Sequence, residues 1–330
     1  MKKLILLFLL VNPALVAYNQ IIKGTVFDKD TKEKIVYAAI YFSGTFVGTY
    51  SDKNGNFQID VSKNSSMPLS VRAIGYNSVT LDSFSTAKPL AIYLASKVYN
   101  LNEVVIKGES LARERKLNLE QFKDVFLGTT PNAQKCKILN EKDITFNYET
   151  DRDTLRAYAS KPLQIENNAL GYKITYFLDK FEYDKMNKTF LFKGEILFNK
   201  DITNEDSLVL SFERKRRNAY LGSRMHFFRE LWADNLKAAS FEVQDPSGEN
   251  LNYKEIVFEK SNNNKHLTYK KSLIITYKSN VVKSYIVFLK DSVFFDGTGY
   301  FDASRISWEG QMAAQRIGDL LPYEYVPEGN

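Results

Sequence analysis

The sequence predicts a mainly β protein in two parts: an N-terminal β-sandwich, then a larger β-rich domain with a helical insertion. Three observations predict the β class and the division. Residues 44–61 (GTFVGTYSDKNGNFQIDV) set a dense turn signal between two stretches that alternate apolar and polar residues, and Asn54-Gly55 supplies the positive φ of a tight hairpin. Aromatic residues make up 14% of the chain, with 23 Phe and 20 Tyr, and these favour pleated strands. At 330 residues the chain is long enough for two cores.

The chain opens with a pattern that reads as a secretion leader over residues 1–19. Lys2 and Lys3 form its charged start, residues 4–11 its apolar run, and Ala14-Leu15-Val16-Ala17 its small-residue cleavage region. The run is short for a bilayer span, and no cysteine stands near the cleavage region to take a lipid. The expected product is exported, lies in the periplasm or associates with the outer membrane, and has no transmembrane segment once the leader is gone. Removing Lys2 and Lys3 lowers the formal charge from +6 to +4. That mild excess suits an anionic envelope surface and requires no nucleic acid. Cys136 is the single cysteine, so no intrachain disulfide forms, and its expected role is a small buried hydrophobe.

Residues 20–107 punctuate as short strands separated by turn clusters: 22–27, 35–42, the hairpin arms around Asn54-Gly55, 69–73, 78–81, 90–94 and Val104-Val105-Ile106. The order KGTVFD, AAIYFSGTFVGTYSDKNGNFQIDV, LSVRAIGYNSVTL and LNEVVIKG resembles the carboxypeptidase-regulatory-like domain. The resemblance implies a seven-stranded transthyretin-like sandwich of the kind found in Gram-negative envelope proteins, including ahead of the plug of TonB-dependent receptors. Val36-Tyr37 departs from the family, which often carries a proline there. Asp52, Asn54 and Asn56 have the alternation of a calcium loop, but Gly55 is fourth from Asp52 and Lys63 stands where a loop glutamate belongs, so the stretch reads as a turn.

Residues 108–136 read as a helical linker. Leu119, Phe122 and Phe126 share one helix face, Gly128 stops it, and Thr130-Pro131 starts a short helix through Cys136. Residues 137–330 form the β-rich part. Ile144, Phe146 and Tyr148 alternate, then Leu155, Ala157 and Ala159. Residues 171–183 and 188–198 make a long aromatic hairpin, and a helical interlude follows over 213–235 with Gly222-Ser223 as an internal cap. Strands resume at 241–243, 256–258, 273–277, 285–289 and 293–295, with a loop at 261–265 and a short apolar end at 316–325. The segments FLGTTPNAQKCKILN, ALGYKITYFLDKFEYD, AYLGSRMHFFRELWADNL and RIGDLLPYEY resemble the C-terminal half of an uncharacterised group of exported proteins named for their regulatory-like domain. That resemblance implies an architecture and carries no catalytic residue.

Equipment for catalysis is sparse. A zinc peptidase needs two imidazoles, a carboxylate and a base converging on one metal. The chain has His226 and His266, with neither HExxH nor HxxE. His226 and Glu230 share a helix face in an aromatic setting (MHFFRELW), which reads as packing or an ion pair. Leu221-Gly222-Ser223-Arg224 lacks the second glycine of a nucleophile elbow, and no glycine-rich phosphate loop follows a strand. No catalytic, metal or cofactor-binding residue is assigned and no cofactor is expected. Arg214, Lys215, Arg216, Arg217 and Arg224 form the one concentrated basic patch, a candidate surface for acidic glycan, lipid phosphate or acidic protein; its bland reading is a solvated helix face paired with Glu213 and Glu230. Tyr172, Tyr176, Phe181 and Tyr183 read as core plus ordinary strand surface, with sugar stacking as the alternative. The expected function is a non-catalytic exported binding or scaffold protein of the cell envelope that contacts a protein or glycan. Two alternatives stand beside it: a hydrolase sited in the C-terminal domain, and an accessory partner of TonB-dependent uptake.

Overall fold

A computed structural model of the chain describes residues 20–97, 109–200, 206–260, 264–278 and 282–328. The leader and the strand expected at Val104-Val105-Ile106 lie outside the described residues. Alternating residues in the N-terminal part form β1 (Ile21–Asp28), β2 (Ala39–Phe42), β3 (Gly48–Tyr50), β4 (Asn56–Asp60), β5 (Leu69–Arg72), β6 (Val79–Leu81) and β7 (Leu90–Leu94). They make two sheets, β4-β1-β7 and β3-β2-β5-β6. Because successive side chains point to opposite faces, Ile22, Val26, Phe57 and Ile59 from one sheet meet Ile40, Phe42, Leu69 and Val71 from the other in a dry core. The Asn54-Gly55 turn forms as read, with Gly55 at φ 72. Asp52 accepts the backbone N–H groups of Asn54 and Asn56 at 2.8 and 2.9 Å, so its carboxylate stabilises the turn itself.

One difference has a clear cause. Residues 35–42 read as one strand, but the ladder begins at Ala39, because Tyr37 takes the left-handed conformation at φ 57. Its N–H donates to Ser51 O at 3.0 Å. The Ser51 hydroxyl accepts from Ala38 N and donates to Ile35 O, both at 2.8 Å.

Helix α1 (Glu109–Phe126) places Phe122 and Phe126 against a second sheet and ends before Gly128, at φ 98. The short helix expected through Cys136 is a single 3-10 turn at Ala133–Lys135. Cys136 is already extended and opens β8 (Cys136–Ile138) by pairing with Asn167. The sheet continues with β9 (Ile144–Glu149), β10 (Thr154–Ala159), β11 (Leu163–Asn167), β12 (Tyr172–Asp184) and β13 (Thr189–Lys200). Its path is β8-β11-β12-β10-β9, with β13 on the other side of β12. The helical interlude is two helices, α2 (Asp206–Tyr220) and α3 (Arg224–Trp232), separated at Gly222 (φ 76) and capped by the Ser223 side chain.

The last part contains β14 (Phe241–Gln244), α4 (Tyr253–Ile256), β15 (Val257–Lys260), β16 (Asn264–Leu267), β17 (Leu273–Tyr277), β18 (Ser284–Phe288), β19 (Val293–Phe295) and β20 (Ile306–Gly310). Two sheets, β14-β17-β18-β20 and β15-β16-β19, enclose Phe227, Phe228 and Leu231 of α3. The loop expected at 261–265 gives way to β16 at Asn264, which pairs with Lys260 across the hairpin. Among the described residues no helix is long and apolar enough to cross a membrane.

The sandwich docks on β13. Tyr41 stacks on Phe177 with ring centroids 4.9 Å apart, beside Ala39 and Leu197. Over this contact the Glu195 carboxylate accepts from the Tyr41 hydroxyl at 2.6 Å, the Ser70 hydroxyl at 2.5 Å and Arg72 Nε at 2.8 Å. Arg72 then clamps both oxygens of Asp179 at 2.7 Å. Burial, and next the Glu195 charge, push the Tyr41 phenol far above its ordinary range. Burial opposes the Arg72 charge, but the bond to Asp179 and the fields of Tyr41 and Glu195 outweigh it and raise its pKa. The turn after β2 is stitched to the same strand: Gly44 N donates to Ile196 O at 2.7 Å and Phe198 N to Thr45 O at 2.9 Å.

His226, the candidate metal ligand with Glu230, is buried among Tyr220, Phe241 and Tyr277. Its Nδ1 accepts the Gly222 N–H at 3.1 Å, which puts the ring proton on Nε2, 3.6 Å from Glu230 Oε1. That distance is too long for a strong hydrogen bond. Burial, then the charges of Arg229 and Lys278, lower its pKa to about 4.

Two predictions follow from this packing. Arg72→Ala strands Glu195 and Asp179 at the seam and lowers unfolding stability by about 3 kcal/mol, whereas Tyr41→Phe removes one donor and costs about 1–2 kcal/mol. Urea titration of both variants checks this, and losses under 0.5 kcal/mol would remove the seam network as a stabilising feature. His226 is neutral when folded and protonates more readily when unfolded, so its contribution is complete above about pH 6.5 and is lost as pH falls toward 4. The difference is about 3 kcal/mol. Stability measured from pH 7 to pH 4 should fall more steeply in the wild type than in His226→Gln.

Candidate functional site

Beside the docking contact the two sheets diverge and leave a groove of about 190 Å³. The sandwich contributes Tyr37, Tyr50, Arg72 and Ile74, and the second sheet contributes Gln164, Thr175, Phe177 and Asp179. Local backbone chemistry places the rim. The Ser51 bonds hold Tyr37 at φ 57, and the residue is 73% exposed. Tyr50, at the end of β3, is 55% exposed, and Ile74, on the turn before Gly75, is 72% exposed. A bulky residue in the left-handed region is uncommon, and such strain concentrates at ligand clamps.

The floor is polar and ordered. Arg72 lies over the Phe177 ring, 5.5 Å from its centroid, while holding Asp179 with two nitrogens. Thr175 donates to Gln164 Oε1 at 3.2 Å, which turns the Gln164 amide nitrogen outward as a donor. Lys161 is exposed at the far wall. The two carboxylates nearest the groove, Asp179 and Glu195, spend their oxygens on Arg72, Tyr41 and Ser70. They act as anchors for the seam and do not present a displayed acid–base pair. The groove can therefore do two things chemically: pack flat apolar faces against exposed tyrosines, and exchange hydrogen bonds with hydroxyl or amide groups.

Among the described residues, no two of the five sequence-selected basic residues share a contact. Arg214 is exposed and Lys215 partly so. Arg216 donates to Leu170 O at 2.7 Å and lies 4.3 Å from the centre of the Tyr172 ring. Arg217 donates to Glu328 O at 2.9 Å, and Arg224, on the next helix, bonds the Gln315 backbone and lines a separate cavity. Consecutive helical residues are about 100° apart, so a run of four projects around the helix and not onto one face. The strand aromatics Tyr172, Tyr176 and Phe181 are buried in the second core, with Tyr183 packed at its margin. Cys136 is partly buried, and burial followed by the Asp319 charge pushes its thiol up to about 12. Among the described residues no group of three or more His, Cys, Asp or Glu is placed to hold a metal ion.

The rim aromatics were missed from sequence. Tyr37 had one signal, the Val36-Tyr37 departure from the proline often found there in the resembling family; Tyr50 and Ile74 had none beyond their position at strand ends.

Comparison with known proteins gives one domain-level result. A Bacteroides fragilis protein of unknown function, described as membrane-associated, is similar at 11% identity and a TM-score of 0.18, over 88% of this chain and 94% of that one. A TM-score at that level establishes no correspondence of fold. No protein of curated function matches the chain. The family model of the CarboxypepD_reg-like domain matches residues 22–106. With seven strands paired in two sheets over the described part of that span, residues 22–106 are a CarboxypepD_reg-like domain.

Proposed function

We propose that this is a non-catalytic, exported binding protein of the cell envelope that holds a glycan segment in the groove between its sandwich and its second sheet. The observation that carries the reading is Tyr37, held in a left-handed backbone and 73% exposed at the groove rim. A side chain kept open at a conformational cost has a use in its open state. Sugar rings offer what the groove takes: one apolar C–H face for an aromatic ring, and hydroxyls at the edge for Gln164, Thr175 and the Arg72–Asp179 pair.

Export is supported by the charged start, apolar run and small-residue site at the chain's beginning. The CarboxypepD_reg-like domain serves as one wall of the site, and its own chemistry is that of a scaffold. The second sheet supplies the polar floor. Neither half forms the groove alone, which explains why the Glu195 junction fixes one against the other.

The test is a glycan array probed with the purified chain, followed by calorimetry on the strongest hit. The double variant Tyr37→Ala, Tyr50→Ala should bind about tenfold or more weakly, with an unchanged thermal midpoint because both rings are exposed. Removing charge at Arg214 and Lys215 should leave binding intact. Equal binding by the double variant, or capture of an envelope protein with no glycan bound, would overturn the assignment.

A further inference from the structure

We propose that the cavity bordered by the C-terminal tail is a binding site for a small molecule that carries one carboxylate on an apolar body about the size of a benzene ring. The cavity lies where α3, β13, the loop before Ala303 and residues 315–323 meet, and its volume is about 180 Å³. An apolar protein cavity of roughly 150 Å³ is enough to take benzene. Most of the wall is hydrocarbon, from Ile196, Phe198, Met225, Phe301 and Leu321.

The polar part of the wall is unbalanced. Arg224 enters it from the first turn of α3, and among the described residues its guanidinium makes one hydrogen bond, a long 3.4 Å contact to Gln315 O, and no ion pair. Tyr323 lines the same wall, and its neutral phenol cannot balance the charge; Gln315, Ser223 and Asp319 are engaged elsewhere. Gln315 accepts from Arg224 N and donates to Ala219 O. Ser223 caps the helix. Asp319, the one carboxylate in the lining, turns its oxygens to Thr130 Oγ1 at 2.8 Å and Asn132 Nδ2 at 2.9 Å. Burial lowers the Arg224 pKa, and Arg316 is pulled down to about 10 by burial and then by the like charge of Arg224.

A guanidinium is built for two parallel bonds to a carboxylate, and Arg224, partly withdrawn from solvent, has no counter-ion among the described residues to make them. The ligand supplies the missing charge, and the hydrocarbon wall takes its body. A compact inorganic anion would satisfy Arg224 but would leave its other oxygens against Phe198, Met225 and Phe301, unhydrated and unbonded. The chemistry therefore selects a monocarboxylate over sulfate.

The experiment is calorimetry and thermal melting of the full chain with benzoate, hexanoate, benzyl alcohol and sulfate, each up to about 10 mM. Benzoate or hexanoate should bind and raise the thermal midpoint, and benzyl alcohol should bind about thirtyfold or more weakly, as expected when one partner of an enclosed charge pair is lost. Arg224→Met should abolish the preference for benzoate over benzyl alcohol. Should that variant not fold, Arg224→Lys keeps a charge without the fork, and should retain the preference with reduced affinity. Equal binding of benzoate and benzyl alcohol to the wild type, tighter binding of sulfate, or no shift with either carboxylate would overturn the proposal.

Discussion

Glu195 is the constraint on which the arrangement of the molecule depends. It sits on β13 of the second sheet, yet its three hydrogen-bond donors, Tyr41, Ser70 and Arg72, all come from the sandwich. The apolar contact beneath it is small, consisting of Ala39, Tyr41, Phe177 and Leu197. Apolar contacts of that size do not fix orientation, because their energy changes little as one surface slides over the other. A carboxylate with three directed donors has one satisfied geometry, and losing it leaves charge poorly solvated. The Arg72 clamp on Asp179 adds a second fixed point on β12, and the backbone bonds from Gly44 and Thr45 to β13 add a third.

With that orientation set, the two sites fall at opposite ends of one strand. β2 begins with Ala39, which lines the groove, and just beyond its end Gly44 lines the cavity. Gly44 has φ 83, and a Cβ there would stand 2.5 Å from the Tyr323 ring, so the tail reaches this turn only because no side chain intervenes. Tyr323 N donates to Gly44 O at 2.8 Å, and the Glu324 carboxylate accepts from Phe46 N at 3.0 Å. The hairpin around Asn54-Gly55 thus does more than close a sandwich. Its first arm carries the turn onto which β13 and the C-terminal tail are both assembled.

Local signals account for what was legible in the sequence. The Asn-Gly turn, the long hairpin of β12 and β13, the α1 stripe of Phe122 and Phe126 and the Ser223 cap each depend on residues a few positions apart. The elements that were misread or missed depend on distant partners. β11 is five residues long and is defined by pairing with β8 and β12. Cys136 is a strand residue because Asn167 lies opposite it. Tyr41 and Glu195 are 154 residues apart in the chain and share no pattern. In the basic run at 214–217, adjacency in sequence is not adjacency in space, since helical rotation sends Arg216 and Arg217 to different carbonyls.

The arginines also divide the structure electrostatically. At the seam Arg72 ends on carboxylates, and so does Arg156 within the second sheet, so charge is balanced at both places. Around the tail, among the described residues, the side-chain hydrogen bonds of Arg216, Arg217, Arg224, Arg229 and Arg316 end on backbone carbonyls; Arg229 alone holds Thr298, Tyr323 and Tyr325. A carbonyl satisfies a donor without cancelling its charge. The tail is therefore fastened by bonds that leave each arginine's charge in place, and Arg224, which like Arg217 has one such bond, is the one of the set that lines a cavity. Tail attachment and anion selection then arise from the same interactions, since each carbonyl that ties down the C-terminus leaves an arginine charge in place.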